Sequence, residues 1–360
     1  MKQIYYCKIN DKQSGLCNQI FAFITGIIIA KINAKKIVIV DVFLNDYLKN
    51  IVTPISHIIN LEKLNVFLKQ YDICVLDKYY TKLNIHKVTY GIERNYIDVT
   101  KIITDKFYKN NTFGIHSYEN LHLLGFNDPL PGRMKYLEIT YSLNNMEFID
   151  KYNESGGFLK EPILFNLNNT FFNYKMGWIN KYNKEMFDNI LKNISFFKKF
   201  NLPQNECQKI KNFSKINIIH LRLENDAIIH WSKMNHMHEV IFENYIYKKY
   251  INIIQENINK NDMTVILSGS THNPVINYLI ENRYNYHISE KINEWGREIN
   301  AIRDASSIEM CNNVFIGNFN LNKLNGSTLS YYLIKKLSSN IKCITIDLDR
   351  ITDPPVTFVT

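Results

Sequence analysis

The sequence lacks the short motifs of the commonest metal and dinucleotide sites. Its six cysteines are scattered and form no C-x-x-C pair, so neither a zinc site nor a disulfide framework is predicted. No Asp-x-Asp pair stands in a suitable loop, and the G-x-G-x-x-G spacing of dinucleotide binding is absent. These absences argue against NAD, and we expect a site that needs no metal and no cofactor.

Long apolar runs are also missing. The one apolar block near the start, residues 20–30, is shorter than the roughly 20 residues that a membrane-spanning helix needs. Segments of strand character precede and follow this block, which favours a buried helix over the core of a signal peptide. We therefore expect a cytoplasmic protein without a membrane span.

Positive charge is in excess. Lys and Arg number 43 against 34 Asp and Glu, a formal net charge of +9, which favours anionic partners such as nucleotides. The lysines are dispersed rather than clustered, so nucleic acid is not expected as a partner. A chain of 360 residues suits two domains, and the segment around Pro203 has the composition of a linker. We predict domains of residues 1–203 and 204–360.

Two series of strand and helix patterns predict an α/β fold. The first has a strand at Gln3–Ile9, a polar loop at Asp11–Asn18, a helix at Gln19–Asn33 and a strand at Lys36–Asp41. The second has strands at 216–221, 264–267, 314–317 and 343–346, with helices at 240–258, 304–311 and 328–337. Such βαβ units form parallel sheets of the Rossmann type. Residues 44–200 show no clear pattern.

The segment from Ile216 to Asp226 is the most informative part of the chain. An apolar, β-branched strand delivers His220, Arg222, Glu224 and Asp226 to its carboxyl end, where open α/β sheets bind their ligands. The planar fork of an arginine matches a diphosphate, and a neighbouring acid can act as a base or hold sugar hydroxyls. A network of ion pairs at the protein surface is the alternative interpretation, with about equal weight.

Two further segments combine glycine with polar residues at the start of a helix. Gly15 and Asn18 precede the first predicted helix, and Ser327 and Thr328 begin the last one. Backbone N–H groups at a helix start bind anions, although ordinary helix capping explains the same residues. The histidines 230, 236 and 238 match no metal-ligand spacing, so no metal site is predicted.

In this order the three segments resemble the GDP-fucose O-fucosyltransferase superfamily, including its plant-type branch. The run from His220 to Asp226 is similar to the His-Leu-Arg-x-Glu-x-Asp signature of that branch. Gly15–Gln19 is similar to its Gly-x-x-Asn-Gln loop, and Phe315–Asn318 with Ser327–Ser330 to its strand and serine-rich helix start. Outside these segments only the order of elements matches.

The resemblance implies a GT-B fold, in which two Rossmann-like domains face an interdomain cleft. It also implies an inverting, metal-independent glycosyltransferase whose N-terminal domain lies on the acceptor side. Arg222 would bind the diphosphate and stabilise the leaving group, and Ser327 and Thr328 would bind the phosphates. The remaining donor-binding positions are Gly15, Asn18 and His220.

Several alternatives stay open. Glu224 or Asp226 is expected to act as the catalytic base, with Asp11 a remote third. Asn313 stands where protein-fucosylating members have an Asp, and Asp304 is a weaker substitute, so the base of the donor is open. GDP-fucose is the first choice and UDP-rhamnose the second. The acceptor is a hydroxyl of a glycan or protein, and a non-catalytic glycan- or nucleotide-binding relative is the rival from another class.

Overall fold

The structure is a computed structural model that describes residues 1–9, 15–46, 49–92, 94–125, 127–167, 183–289, 291–322 and 325–348. The chain divides into two compact units. Unit 1 comprises Met1–Asp11, Ala22–Phe43 and Thr53–Met176, and unit 2 comprises Lys12–Phe21, Leu44–Val52 and Gly177–Thr360. Each unit contains a parallel sheet, so the predicted α/β fold class is confirmed.

Unit 1 contains the βαβ opening that the sequence predicts. Strands β1 (Ile4–Cys7) and β2 (Ile37–Val40) pair in parallel, and α1 (Leu16–Ile32) connects them. Helix α1 begins three residues before its predicted start, which places Asn18 on the helix rather than in a loop. The next elements along the chain are β3 (Val42–Asp46), β4 (Ile51–Pro54), α2 (Leu61–Leu68) and β5 (Cys74–Asp77). The limits of the two units fall within α1, β3 and β4, so residues 16–21, 44–46 and 51–52 of these elements group with unit 2. The parallel sheet has the order β1-β2-β5, and β3 pairs with β4.

The rest of unit 1 is antiparallel. The five-stranded sheet has the order β12-β11-β10-β6-β7, from β6 (Leu83–Ile92), β7 (Asn95–Asp98), β10 (Tyr136–Leu143), β11 (Met146–Ser155) and β12 (Phe158–Leu159). The three-stranded sheet has the order β13-β9-β8, from β8 (Tyr108–Lys109), β9 (Thr112–Ile115) and β13 (Ile163–Phe165), and α3 (Thr100–Phe107) lies between β7 and β8 in the chain.

The antiparallel strands are difficult to recognise in the sequence because acidic residues lie on their buried face. Asp150 and Glu154 occupy buried positions of β11, where an alternating pattern requires apolar residues. Asp150 accepts hydrogen bonds from the hydroxyls of Tyr141 (3.0 Å) and Tyr152 (3.2 Å). Burial of an acid is tolerated there because hydroxyl donors satisfy it.

Unit 2 is built on a five-stranded parallel sheet. Its strands are β14 (Ile216–Leu221), β15 (Met263–Ser268), β16 (Tyr286–Ile288), β17 (Val314–Gly317) and β20 (Lys342–Thr345), and the order is β16-β15-β14-β17-β20. Counted along the chain this is 3-2-1-4-5, the order of a Rossmann-type sheet. All six residues of β14 are buried, as a central parallel strand requires.

Seven α-helices and a small hairpin follow the limit at residue 177 in the described part of unit 2. The hairpin pairs β18 (Phe319–Asn320) with β19 (Asn325–Gly326), and the helices are α4 (Lys184–Asn193), α5 (Gln204–Lys211), α6 (Asn225–Met234), α7 (Glu239–Asn257), α8 (Pro274–Glu281), α9 (Arg297–Ser306) and α10 (Thr328–Lys336). Helix α9 begins seven residues before the helix predicted at 304–311. No helix in the described ranges is long and apolar enough to cross a membrane.

Helix α4 belongs to unit 2, although the predicted N-terminal domain extends to residue 203. Asp188 on α4 accepts hydrogen bonds from the Tyr331 hydroxyl at 2.6 Å and from the Lys335 ammonium at 2.8 Å, both on α10. These contacts attach α4 to the rest of unit 2. The domain limits at 203 and 204 stay a prediction about which parts fold independently.

Candidate functional site

The strand order of unit 2 creates a crevice between β14 and β17. From β14 the chain builds outward to β15 and β16 on one side, and then to β17 and β20 on the other. At such a switch point the connections leave in opposite directions, and the space beyond the carboxyl ends of the strands is open to a ligand. A cavity of about 790 Å³ lies there, a size typical of small-molecule sites.

The cavity collects the residues predicted for catalysis and donor binding, whereas Asp11, the remote third candidate for the base, lies outside the described residues. The cavity is lined by these eight residues, which come from three distant segments: Gly15, Asn18, His220, Arg222, Glu224, Asp226, Ser327 and Thr328. All of these residues belong to unit 2, because residues 12–21 group with that unit. Their chemical roles remain predictions.

Four helices begin at this cavity. The first residues of α1, α6, α9 and α10 all line it. A helix start carries partial positive charge and N–H groups without intrahelical acceptors, so the convergence favours an anion. Ser327 and Glu224 occupy the N-cap positions of α10 and α6, yet neither side chain makes a capping hydrogen bond.

Arg222 lies just beyond β14 with its guanidinium bound to two acids. Its Nη1 donates to Glu224 and, at 3.2 Å, to Asp226 Oδ1, while Nη2 donates to Asp226 Oδ2 at 2.8 Å. Burial lowers the pKa of Arg222, but Glu224 and Asp226 outweigh it and raise that pKa above its ordinary value. These contacts use three of the five N–H bonds that a guanidinium offers and fix its orientation.

A buried network joins the ends of β14 and β17. The Asn318 N–H donates to Ser330 Oγ at 2.8 Å, and Ser330 Oγ lies 2.7 Å from His220 Nδ1. The Ser330 hydroxyl thus links the backbone after β17 to the imidazole on β14. Burial lowers the pKa of His220 to about 4, with Arg222 lowering and Glu224 raising it, so the imidazole is neutral near pH 7.

Sequence reasoning missed two of the cavity's acids, or ranked them too low. Glu298 on α9 is not among the predicted site residues, and Asp304 is predicted only as a weaker substitute for the acid that would bind the base of the donor. The sequence pattern predicts a loop at Glu298 and the start of a helix at Asp304. Both are buried in the cavity wall. Asp304 forms an ion pair with Lys291, and burial raises its pKa in spite of that partner. The signal available in the sequence was Glu298 itself, because acidic residues are enriched in the first turn of a helix.

Two residues of the resemblance have structural explanations. The Gln19 amide donates to the Leu44 carbonyl at 2.9 Å and accepts from the Leu44 N–H at 2.7 Å, so it pairs with the backbone of β3. Asn313 precedes β17 and thus lies at the amino-terminal edge of the sheet, where its amide donates to Asn217 at 2.8 Å. It does not line the cavity, so it does not decide the base of a ligand bound there.

Metal binding receives no support from ligand geometry. Within the described ranges, no group of three or more His, Cys, Asp or Glu side chains is arranged to hold a metal ion. Cys17 lines the cavity, but burial raises its pKa far above the ordinary value, so the thiol is inert. Metal independence itself stays a prediction.

Comparison with known proteins gives similar structures but no family. No family model and no curated protein matches the sequence. Crystal structures of POFUT1 are similar over nearly the whole length: the complex with GDP-fucose has 11% identity, a TM-score of 0.48 and coverage of 96% of this chain and 97% of that chain. For a complex with GDP these values are 10%, 0.46, 96% and 98%. At these values of identity and TM-score, the similarity does not indicate an activity.

Proposed function

We propose that the protein is a glycosyltransferase that takes its sugar from a nucleoside diphosphate sugar. The proposed reaction moves a 6-deoxyhexose, with fucose as the first choice, to a hydroxyl of a glycan or protein with inversion at the anomeric carbon. One observation carries the proposal: Arg222 and the starts of four helices converge on one cavity at the switch point of a Rossmann-type sheet. A diphosphate leaving group is the anion that this arrangement suits best.

The proposed role of Arg222 is to stabilise the charge that develops on the diphosphate. Glu224 and Asp226 hold the guanidinium in place before the donor binds. The Asp226 side chain is 62% exposed, so a phosphate can displace it into water without leaving a buried charge unpaired. Ser327, Thr328 and the first N–H groups of α10 are the proposed phosphate donors.

The remaining donor contacts are assigned by position. His220, with a neutral imidazole, is proposed to form a hydrogen bond to the nucleotide. Gly15 permits close approach of the donor to the start of α1, where Asn18 offers amide hydrogen bonds. The base of the donor stays open between GDP-fucose and UDP-rhamnose.

Titration calorimetry and a turnover assay together test this proposal. We expect GDP or UDP to bind, and the matching nucleotide sugar, GDP-fucose or UDP-rhamnose, to release that nucleotide. Binding without release of nucleotide from either sugar, with a panel of glycan acceptors present, contradicts the enzyme and favours the non-catalytic relative. Failure of both nucleotides to bind contradicts both readings.

Replacing Arg222 is the sharpest single test. Arg222→Ala is expected to reduce turnover by about a hundredfold or more, because a preorganised donor to the leaving group is lost. Arg222→Lys should restore little, since a point charge cannot replace the bidentate fork. Arg283→Ala is the matched control, because Arg283 is exposed in the same unit and does not line the cavity. Near-normal turnover by Arg222→Ala would end the proposal.

Metal independence gives a second prediction. Arg222 and the helix starts neutralise the diphosphate in the proposed reaction, so a metal ion is not needed. Nucleotide release should change less than twofold when EDTA is added to enzyme prepared without divalent cations. Restoration of activity by Mg²⁺ or Mn²⁺ after loss in EDTA would show that the phosphates require a metal.

A further inference from the structure

Four acids line the cavity, and three of them are bound to cations. Glu224 and Asp226 accept hydrogen bonds from Arg222, and Asp304 accepts one from Lys291. Although burial raises the pKa of Asp226, the hydrogen bonds from Arg222 bring it below its ordinary value. A carboxylate held by a cation is a poor base, because protonation requires it to give up that partner.

Glu298 is the fourth acid, and it differs from the others. It lies in the first turn of α9, is only 2% exposed, and its Oε2 has no hydrogen-bond partner within the described ranges. An unsatisfied carboxylate oxygen is costly to bury, and in native proteins it commonly marks a functional group. Glu298 lines the cavity, and its other oxygen, Oε1, lies towards Gly15, which lines the cavity as well, so the carboxyl group borders the space for a ligand.

The backbone around Glu298 holds it in position. Gly296, the N-cap of α9, approaches β3 so closely that a Cβ on it would lie 2.3 Å from the Asn45 carbonyl oxygen. Asn300 on the next turn pairs with both backbone groups of Ile292, at 2.9 and 3.0 Å. Gly15 leaves space beside the carboxylate, because a Cβ built on Gly15 would still lie 4.0 Å from Glu298 Oε1.

We propose that Glu298 is the general base that accepts the proton of the acceptor hydroxyl. This inference rests on the proposed function. In the step, the acceptor oxygen forms a bond to the anomeric carbon while the bond from that carbon to the diphosphate oxygen breaks. The diphosphate leaves with the electron pair beside Arg222, and the acceptor proton passes to the Glu298 carboxylate and then to water. Glu224 and Asp226, the predicted bases, act as positioning residues for Arg222.

The charged groups around Glu298 are consistent with this role. Burial raises the pKa of Glu298 to about 7, with Arg297 and the residue's own N–H lowering it and Asp46 on β3 raising it. The same cavity is lined by Arg222 with its two acids and by Lys291 with Asp304. Below pH 7 the carboxyl is protonated and cannot act as a base, so activity should rise with pH through a midpoint near 7.

The test compares Glu298→Gln with wild type in the full-length protein. The probes are release of GDP from GDP-fucose and of UDP from UDP-rhamnose, with water as the acceptor, between pH 5.5 and 9, and calorimetric binding of GDP and UDP. At pH 8.5 we expect Glu298→Gln to release nucleotide about a hundredfold to ten-thousandfold more slowly. It should keep nucleotide affinity within about threefold and lose the pH dependence around 7. Glu294→Gln is the control, because Glu294 is exposed and does not line the cavity.

Stability separates a lost base from a lost fold. The folded protein holds a proton on Glu298 that the unfolded chain releases between pH 4.5 and about 7, so ionisation of this group destabilises the fold as pH rises through that window. Glu298→Gln removes this effect and should melt at a higher temperature than wild type at pH 8.5. A slow variant with a raised melting temperature therefore supports the proposal.

The opposite outcomes are distinct. Wild-type rate and pH profile in Glu298→Gln, with Arg222→Ala inactive, would overturn the role of Glu298 and leave the proposed function intact. A parallel loss of nucleotide affinity would assign Glu298 to donor binding and overturn it as the base. No nucleotide release by wild type from either sugar, with the panel of glycan acceptors also present, would overturn the transferase and the base together.

Discussion

Two buried side chains of the cavity, His220 and Glu298, change their protonation state with pH. His220 is buried and contacts Ser330, and its neighbours Arg222 and Glu224 act on its charge in opposite directions. Glu298 is buried at the start of another helix and resists ionisation. Both groups therefore favour their neutral forms: the imidazole is neutral above a pH of about 4 and the carboxyl below a pH of about 7.

Acid should destabilise the fold through His220. Its pKa is lowered from 6.5 to about 4, so the unfolded chain binds a proton in that window that the folded protein excludes. The contribution of His220 to the free energy of unfolding should fall by on the order of 3 kcal/mol as pH drops from 7 to 4, while Glu298 contributes in the opposite direction in both proteins compared. Urea unfolding of wild type and His220→Asn measures this, and the variant should lose much less over the same range.

The matched control for this measurement is His272→Asn. His272 is exposed in unit 2, so its replacement should leave the pH dependence of unfolding as in wild type. If His220→Asn and wild type lose equal stability between pH 7 and 4, the imidazole is not excluded from protonation in the folded protein.

At the scale of elements, the start of α10 is set by the hairpin before it. Ser327 donates its N–H to the Asn318 carbonyl at 2.7 Å, which attaches the helix start to the end of β17. Gly326 has a φ of +120°, and a Cβ on it would lie 2.7 Å from the same carbonyl oxygen. Glycine is therefore required here both for its conformation and for the close approach of two backbones.

Gly326→Ala should displace the start of α10 from the cavity. Because the overlap is with backbone and cannot be relieved by a side-chain rotation, we expect nucleotide affinity to fall at least tenfold. Gly132→Ala is the control, since Gly132 also has a positive φ, +79°, but nothing lies within 4 Å of a Cβ there. That control should cost about 1–2 kcal/mol of stability from strain alone and leave nucleotide binding unchanged. Equal affinity of the two variants would mean that the position of α10 does not matter for binding.

At the scale of the whole molecule, the net charge of +9 is spread rather than concentrated. Exposed lysines form separate surface pairs with acids, as Lys2 does with Glu161 and Lys36 with Asp72. A nucleic-acid interface needs a contiguous basic surface that releases many counterions. The charge therefore favours small anions near the protein without predicting a polymer as partner.

Salt dependence distinguishes a nucleotide site from a nucleic-acid surface. Between 50 and 200 mM NaCl, nucleotide affinity should fall less than about tenfold, because few charges are matched in one cavity. A protein with six to ten phosphate contacts loses about 10³–10⁵ in affinity over the same range. A single-stranded 20-mer should fail to compete with GDP or UDP in calorimetry. Competition that disappears with salt would instead assign the charge to polymer binding.

What the sequence determines by itself is local. The run of buried β-branched residues in β14 forms a central strand wherever it is placed, and Arg222, the residue directly after β14, must then lie at the carboxyl end of a sheet. The same reasoning located α7, β15, β17 and α10 to within a few residues. Ser327 and Thr328 could be predicted because Ser and Thr just before a periodic apolar segment indicate the start of a helix.

Only the tertiary structure decided which of these ends meet. The order of strands brings α1, α6, α9 and α10 to one cavity, and no local pattern encodes that order. Glu298 was not predicted as a site residue because its buried, unpaired carboxylate oxygen results from packing against β3. The neighbouring residues in the chain do not indicate this burial. The antiparallel sheets of unit 1 were not predicted either, because their inward-facing acids are stabilised by hydroxyls that arrive from other strands.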